Sequence, residues 1–193
     1  MKAGQVFRRF TAKDGKEVIL RAPRWEDLDD LLDFINSLVD EGLDITDLPT
    51  KKVTREEEAN WLGRRLADIE NDRIIGIVAE ADGRVVANSE VARKSGIMGH
   101  VGELGISVKA GFRNMGIGTE MMKALIAESR RMGLKVLVLD VFASNSRARH
   151  LYEKVGFEEA GRVPRGICRK GKYIDLIRMT MTLCSSLHPS AIP

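Results

Sequence analysis

The stretch from Val101 to Met132 constrains the fold of this chain more than any other part of the sequence. Its first segment, Glu103–Val108, alternates in polarity and ends in a β-branched residue, which is typical of a strand. A turn with two glycines follows, and apolar residues then recur at helical spacing from Ile117. The sequence therefore predicts a strand, a glycine-rich turn and a helix in direct succession.

The turn between this strand and this helix has the features of an anion-binding loop. Gly116 and Gly118 leave the first amide groups of the helix without side chains in front of them. Such amides and the helix dipole attract anions, and Arg113 adds a positive charge. The loop contains neither G-x-x-x-x-G-K-[ST] nor G-x-G-x-x-G. It fits the pattern R/Q-x-x-G-x-G/A instead, which indicates a phosphate-binding loop of another type.

Hydrophobic periodicity along the chain predicts the element order β, α, α, β, β, β, α, β, α, β, β. The expected strands are Glu17–Arg21, Ile74–Ala81, Arg84–Ala92, Glu103–Val108, Leu134–Phe142, Phe157–Val163 and Tyr173–Leu183. Asp82-Gly83 predicts a hairpin, whereas the strand, helix and strand around the glycine-rich turn require a parallel, right-handed crossover. The expected fold class is α/β, with one mixed sheet of about seven strands and helices on both faces.

Length and composition narrow the class of protein. The 193 residues fit one domain, which we place at 1–184 with a C-terminal tail over 185–193. A net charge of +3 is too small to indicate nucleic-acid binding, and no apolar run reaches the roughly 20 residues of a membrane span. Cys168 and Cys184 show neither zinc-ligand nor disulfide-framework spacing. We therefore expect a cytoplasmic protein that needs no metal, membrane or nucleic acid.

A second motif follows the strand predicted at Leu134–Phe142. The residues from Asn145 to Phe157 fit N-x-x-A-x-x-x-Y-x-x-x-G-F within about one residue of register. Together with the glycine-rich loop, this motif resembles the two signatures of the GNAT superfamily of acetyl-coenzyme A dependent N-acetyltransferases. The resemblance covers about Glu17 to Leu183, and its specific part is Glu103–Phe157. It implies the GNAT fold, whose two central parallel strands splay apart.

The resemblance also implies where acetyl-coenzyme A (acetyl-CoA), the expected cosubstrate, would bind. Its pantetheine arm would pair with the backbone of Ile106, Ser107 and Val108 like an added strand. Its pyrophosphate would bind the loop residues Arg113, Asn114, Met115, Gly116, Ile117, Gly118 and Thr119. Asn145 is expected to hydrogen-bond the pantetheine and to cap its helix, two roles that do not exclude each other. Lys154, within the second signature, is also assigned to coenzyme binding.

Acetyl transfer to an amine requires proton transfers. A primary amine with a pKa near about 10.4 is mostly protonated at neutral pH, so a base must take its proton, and the departing thiolate needs a proton in return. By resemblance, Tyr152 is the acid. Its place on the apolar face of a helix has the alternative interpretation of a core tyrosine.

Glu103 is the candidate base. On an alternating strand it shares a face with Gly105 and Ser107, whose small side chains leave room for a substrate. The alternative is a carboxylate that only pairs with a neighbouring cation. His100, and then Glu90 on the neighbouring hairpin strand, are further candidates.

Two charged segments give opposite indications about the acceptor. The segment Trp25–Thr50 contains nine acidic residues and no basic one, and either forms a solvated face or steers a cationic amine towards the site. The last predicted hairpin instead carries cations that would bind a carboxylate or phosphate: Arg162, Arg165, Arg169, Lys170 and Lys172.

We expect acetyl transfer by direct attack in a ternary complex, with a small-molecule primary amine, polyamine or amino-acid-like, as acceptor. A protein or peptide N-terminal α-amine is the alternative acceptor. A third hypothesis is a non-catalytic sensor of acetyl-CoA, and the resemblance also allows a homodimer.

Overall fold

The computed structural model describes residues 1–42, 49–169 and 171–183. The strands are β1 (Val6–Thr11), β2 (Glu17–Arg21), β3 (Ile74–Ala81), β4 (Arg84–Arg93), β5 (Val101–Val108), β6 (Val136–Phe142), β7 (Glu158–Arg169) and β8 (Lys172–Thr182). The helices are α1 (Leu28–Glu41), α2 (Arg55–Glu70), α3 (Ile117–Arg131) and α4 (Ser146–Val155), with short 3₁₀ turns at Trp25–Asp27 and Gly96–Met98. The strands form one sheet in the order β1-β2-β3-β4-β5-β6-β8-β7.

The sheet has one strand more than the seven expected, because β1 was not predicted. Arg8 and Arg9 occupy the middle of β1, and most of its residues are exposed, so it lacks the alternation of a half-buried strand. It is an edge strand that pairs with β2, and its ladder there does not depend on burial.

The limits of the last strands also differ from the prediction. β6 begins at Val136 rather than Leu134, and β7 continues past Val163 to Arg169. Pro164 lies within β7, and the register shift between Val163 and Ile167 accommodates it in a bulge. Cys184 and the predicted tail at 185–193 lie outside the described residues.

The central strands β5 and β6 run parallel and separate from each other. Their paired residues are Val101 with Val136, Gly102 with Leu137 and Glu103 with Val138. Beyond Glu103, β5 continues to Val108 along β4 alone. The prediction of splayed central parallel strands is therefore confirmed, and the carboxyl-terminal half of β5 has a free edge towards the gap.

Helices cover both faces of this sheet, as predicted. α3 packs against β3, β4 and β5 through fully buried residues such as Met121 and Leu125. On the other face, Leu31 of α1 and Leu62 of α2 form a smaller cluster on β3 and β4. Within the three described ranges, no helix is long and apolar enough to cross a membrane.

Candidate active site

Two cavities adjoin at the gap between β5 and β6. The first, of about 1340 Å³, lies between the end of β5, the loop before α3, and α3 and α4. The second, of about 670 Å³, lies between α1, α2 and the strands β4, β5 and β6. Both cavities are lined by Ile106, Ser107, Asn145, Ala148 and Tyr152. A molecule in one cavity can therefore reach a molecule in the other at these residues.

The first cavity is strongly basic, and we call it the basic cavity. Among the described residues its lining contains one carboxylate, Glu120, which is already paired with Arg8 at 2.8 Å and with Lys123 at 2.9 Å. Its cations are Arg8, Lys13, Arg113, Lys123, Arg130, Arg147 and Lys154. An excess of cations over carboxylates fits a ligand that carries several negative charges.

The predicted phosphate loop forms part of the wall of the basic cavity. Asn114 and Gly116 both adopt positive φ, at 65° and 90°, and Gly116 is the N-cap of α3. The amide of Glu120 donates to the carbonyl of Gly116, so the amides of residues 117–119 precede the first intrahelical bond. A Cβ built on Gly116 would meet no atom within 4 Å, and Gly116, Gly118 and Thr119 line the basic cavity. The loop therefore fits a pyrophosphate group.

Two loop residues have roles that sequence reasoning missed. Gly118 permits close packing of α3 on α4, because a Cβ there would lie 3.1 Å from Cδ2 of Leu151. Arg113 donates from Nε to the carbonyl of Val108 at 2.8 Å and pairs through Nη2 with Glu41 at 2.6 Å. The arginine thus holds the loop to the ends of β5 and α1 while it lines the cavity.

The free edge of β5 presents backbone groups to the gap. The amide of Lys109 donates to the carbonyl of Val86 on β4 at 2.9 Å. Because backbone direction alternates along a strand, the N–H groups of Ile106 and Val108 point to the opposite edge, away from β4. Ser107, between them, lines both cavities. An extended ligand chain can pair with this edge.

Asn145 and Lys154 lie at opposite ends of α4. The side-chain oxygen of Asn145 accepts from the amide of Ala148 at 3.1 Å, which confirms its predicted role as N-cap. Asn145 also lines both cavities, whereas Lys154 lines the basic cavity from the last turn.

Tyr152 lies where the two cavities meet. It is 7% exposed, and its ring is 6.1 Å from that of Phe157, so it is also a core residue. Its hydroxyl has no hydrogen-bond partner among the described residues. Burial raises the pKa of Tyr152 to about 12, so the phenol carries its proton at neutral pH.

The second cavity is acidic, and we call it the acidic cavity. Among the described residues its lining contains one cation, Arg65, which is paired with Glu90 at 3.0 Å. Its carboxylates are Glu57, Glu58, Glu90, Glu103 and Asp140. Most of the remaining lining is apolar, and includes Leu31, Phe34, Leu38 and Trp61. This combination suits a cationic group attached to an apolar body.

Glu103 lies in the acidic cavity with Gly105 and Ser107, as the alternation of β5 predicted. Its carboxylate is 48% exposed and pairs with Lys94 at 2.9 Å, which is the contact that the alternative interpretation predicted. Glu90 also lines this cavity, but His100 is exposed and outside the lining of both. The role of Glu103 as the base remains a prediction.

Glu58 was missed by the sequence reasoning. It lies in the acidic cavity and is 6% exposed, and it has no ion-pair or hydrogen-bond partner for its carboxylate among residues 1–42, 49–169 and 171–183. Burial raises the pKa of Glu58 to about 6. Its position four residues before Leu62, on the apolar face of α2, is the sequence signal that could have indicated it.

The described carboxylates of the acidic segment at Trp25–Thr50 do not line the acidic cavity. Instead, α1 contributes apolar side chains there. The described acidic residues of the segment include six that pair with cations elsewhere: Asp27 with Arg21, Asp29 with Arg55, Asp30 with Arg84, Asp33 with Lys109, Asp40 with Lys52 and Glu41 with Arg113. Asp44 and Asp47 lie outside the described residues.

In the part of the chain that the structure describes, no group of three or more His, Cys, Asp and Glu side chains is placed to hold a metal ion. Cys168 is exposed and free.

Comparison with known proteins identifies the family. The family model described as "Acetyltransferase (GNAT) family" matches residues 37–157. The L-amino acid N-acetyltransferase AaaT of Escherichia coli K12 is 32% identical over 133 residues, which are 67% of this chain and 80% of that protein. The chain belongs to the GNAT family of acetyltransferases, as its two motifs predicted.

Two further comparisons show the extent of the similarity. An L-methionine sulfoximine/L-methionine sulfone acetyltransferase of Pseudomonas aeruginosa is 31% identical over 81 residues, 42% of this chain and 47% of that protein. The chain thus spans about half the length of the first curated relatives it matches. A solved ribosomal-protein-alanine N-acetyltransferase from Brucella melitensis is 29% identical with a TM-score of 0.74, and the match covers 84% of this chain and 98% of that one. The predicted GNAT fold is confirmed.

Proposed function

We propose that this protein transfers an acetyl group from acetyl-CoA to a primary amine of a small molecule, polyamine or amino-acid-like, within a ternary complex. The main support for the proposal is that a basic and an acidic cavity adjoin at Tyr152. The basic cavity suits the phosphates of the coenzyme, and the acidic cavity suits an ammonium group. Membership of the GNAT family supports acetyl-CoA as the acetyl donor.

The residues of the basic cavity are those we expect to hold the coenzyme. The edge of β5 at Ile106 and Val108 would pair with the pantetheine arm, and Asn145 would hydrogen-bond it from the other side of the gap. The amides at the start of α3 would bind the pyrophosphate, with Arg113 holding the loop in shape and Lys154 adding charge. The amide near Val108 would stabilise negative charge that develops on the thioester oxygen.

Proton transfers would be shared between the two cavities. The acceptor ammonium gives one proton to a carboxylate of the acidic cavity, for which the strand pattern indicates Glu103. The neutral amine then attacks the thioester carbonyl, so a C–N bond forms and the C–S bond breaks. Tyr152 protonates the departing thiolate, and the second proton of the amine nitrogen returns to the tyrosine oxygen. The carboxylic acid finally releases its proton to water, so that the charges and protons of the reaction balance.

An N-terminal α-amine of a protein or peptide is the second candidate acceptor. It is supported by the similarity of this chain to the ribosomal-protein-alanine N-acetyltransferase of Brucella melitensis. The lining of the acidic cavity also favours an acceptor that has no carboxylate near its amine, because Arg65, the cation described there, already pairs with Glu90.

A panel of amines tests the proposal. The purified full chain is incubated with acetyl-CoA and spermidine, L-leucine, L-leucinamide or the dipeptide Leu-Ala, and acetylated products are identified by mass spectrometry. We expect spermidine, L-leucine or L-leucinamide to be acetylated. Acetylation of the dipeptide alone would favour the N-terminal acceptor. No product with any amine, while coenzyme A still binds in a calorimeter, would overturn the transferase proposal and support the sensor hypothesis.

A further inference from the structure

The acidic cavity contains one carboxylate whose environment differs from the rest. Glu58 lies in the first turn of α2 and is 6% exposed, although its side chain lines the cavity. No cation or hydrogen-bond donor of the described residues contacts its carboxylate. Because Glu58 lines the cavity and pairs with no described residue, its carboxylate is open to a cationic ligand that enters the cavity.

The other carboxylates of this cavity already have partners. Glu90 pairs with Arg65 at 3.0 Å, Glu103 with Lys94 at 2.9 Å and Asp140 with Arg178 at 2.7 Å. Glu57 accepts from the amide and hydroxyl of Thr54 at 2.8 and 2.9 Å. Glu58 is therefore the carboxylate of this lining with neither a cation nor a hydrogen-bond donor of the described residues already bound to it.

We propose that Glu58 binds the ammonium group of the acceptor and takes its first proton, in place of Glu103. The assignment rests on the proposed function, because it names the base of that reaction. The step converts the ammonium and the Glu58 carboxylate into a neutral amine and a carboxylic acid, so charge and protons balance. The neutral amine is then free to attack the thioester, and Tyr152, which lines the same cavity, supplies the proton to the thiolate.

The electrostatic environment of Glu58 suits this role. Burial raises its pKa to about 6, so it is ionised at neutral pH and more basic than an ordinary glutamate. The titratable groups that share the cavity with it are Glu57 and Arg65 on α2, Glu90 on β4, Glu103 on β5, Asp140 on β6 and Tyr152 on α4. α1 contributes apolar side chains only: Leu31, Phe34, Ile35 and Leu38.

Direct binding of a simple ammonium ion tests the proposal without relying on turnover. n-Hexylammonium chloride is titrated at pH 8 into wild type, Glu58→Gln, Glu103→Gln and Glu56→Gln. Glu56→Gln is the matched control, since Glu56 lies on the same helix, is exposed and lines neither cavity. We expect wild type and Glu56→Gln to bind alike and Glu58→Gln to bind on the order of 10- to 100-fold more weakly. Circular dichroism checks that each variant is folded.

Kinetics with an accepted amine separate this proposal from the proposed function. In wild type, kcat/KM should rise with pH through about 6, which gives the pH profile an acidic limb. Glu58→Gln should lack this limb, whereas Glu103→Gln should retain it. Equal ammonium binding by wild type and Glu58→Gln, or no binding by wild type, would overturn the role of Glu58. Ammonium binding that depends on Glu58, without acetylation of any amine in the panel, would support the site and overturn the transferase.

Discussion

Replacing Glu58 with glutamine should stabilise the fold in a pH-dependent way. The pKa of this carboxyl rises from its ordinary value of 4.5 to about 6 because it is buried. Below pH 4.5 the group is protonated in folded and unfolded chains alike and has no effect. As the pH rises, the unfolded chain ionises first, so the folded state loses stability between about pH 4.5 and 6 and regains none above it.

The size of this loss follows from the two pKa values. A difference of about 1.5 pH units, at about 1.4 kcal/mol for each, gives about 2 kcal/mol at pH 8, whereas the loss at pH 5 is about 0.8 kcal/mol. The advantage of Glu58→Gln over wild type should therefore grow by about 1 kcal/mol from pH 5 to pH 8. Because a buried amide has a cost that does not change with pH, this growth is the relevant quantity.

Urea unfolding of wild type and Glu58→Gln, followed by circular dichroism at pH 5 and pH 8, measures this growth in the free-energy difference. In a chain of this size, 1 kcal/mol also corresponds to about 2–4 °C in Tm, so thermal unfolding provides a second readout. Glu56→Gln, which removes an exposed charge from the same helix, should show no such growth. A free-energy difference between Glu58→Gln and wild type that is the same at both pH values would refute the inferred burial of an ionised carboxylate.

Two other substitutions test the loop and the core. Thr119→Asp adds a carboxylate to the third position of α3, where a negative charge suits the helix dipole, so the fold should be retained. Because this carboxylate would lie beside the pyrophosphate, the affinity for coenzyme A measured by calorimetry should weaken by tenfold or more. The uncharged control Thr119→Asn should bind coenzyme A within about threefold of wild type. Tight binding by Thr119→Asp would remove the pyrophosphate assignment. Gly102→Ala should lower the free energy of unfolding by about 1–3 kcal/mol in urea, because the new Cβ would lie within 2.6 to 2.9 Å of side chains of Val91, Leu134 and Leu137. Gly105→Ala on the same strand has open space and should lie within about 0.5 kcal/mol of wild type, and equal effects of the two would refute the packing argument.

Features set by neighbouring residues could be predicted from the sequence. Asp82 and Gly83 both adopt positive φ in the hairpin that their dipeptide predicted. Thr54 and Glu57, three residues apart, form a capping box, with the threonine oxygen accepting from the amide of Glu57 at 3.3 Å. The strand, loop and helix around Gly116 form in the same way, since each depends on contacts within a few residues.

Features set by the tertiary fold could not be predicted. The partner of Glu103 is Lys94, and that of Arg113 is Glu41, 72 residues away in sequence. No local pattern specifies such pairs, because the sheet and α1 bring them together. β1 was missed for a related reason, since an edge strand is held by its ladder with β2 and needs no apolar alternation.

The role of Glu58 falls between these two cases. A carboxylate on the apolar face of α2 is visible in the sequence, but its lack of a partner follows only from the positions of the surrounding cations. The opposite charges of the two cavities are also a property of the assembled structure, since their residues come from ten strands and helices and the loops that join them.

Tyr152→Phe, measured by two assays, tests most directly whether acetyl transfer takes place where the two cavities meet. Phenylalanine fills the same space beside Phe157 and removes a hydroxyl that has no partner among the described residues, so the fold should be retained. Thiol release from acetyl-CoA with an accepted amine should fall by about 10² to 10⁴, while the Kd of coenzyme A in a calorimeter stays unchanged. Wild-type rates of thiol release in Tyr152→Phe would contradict the account and leave Tyr152 as a core residue.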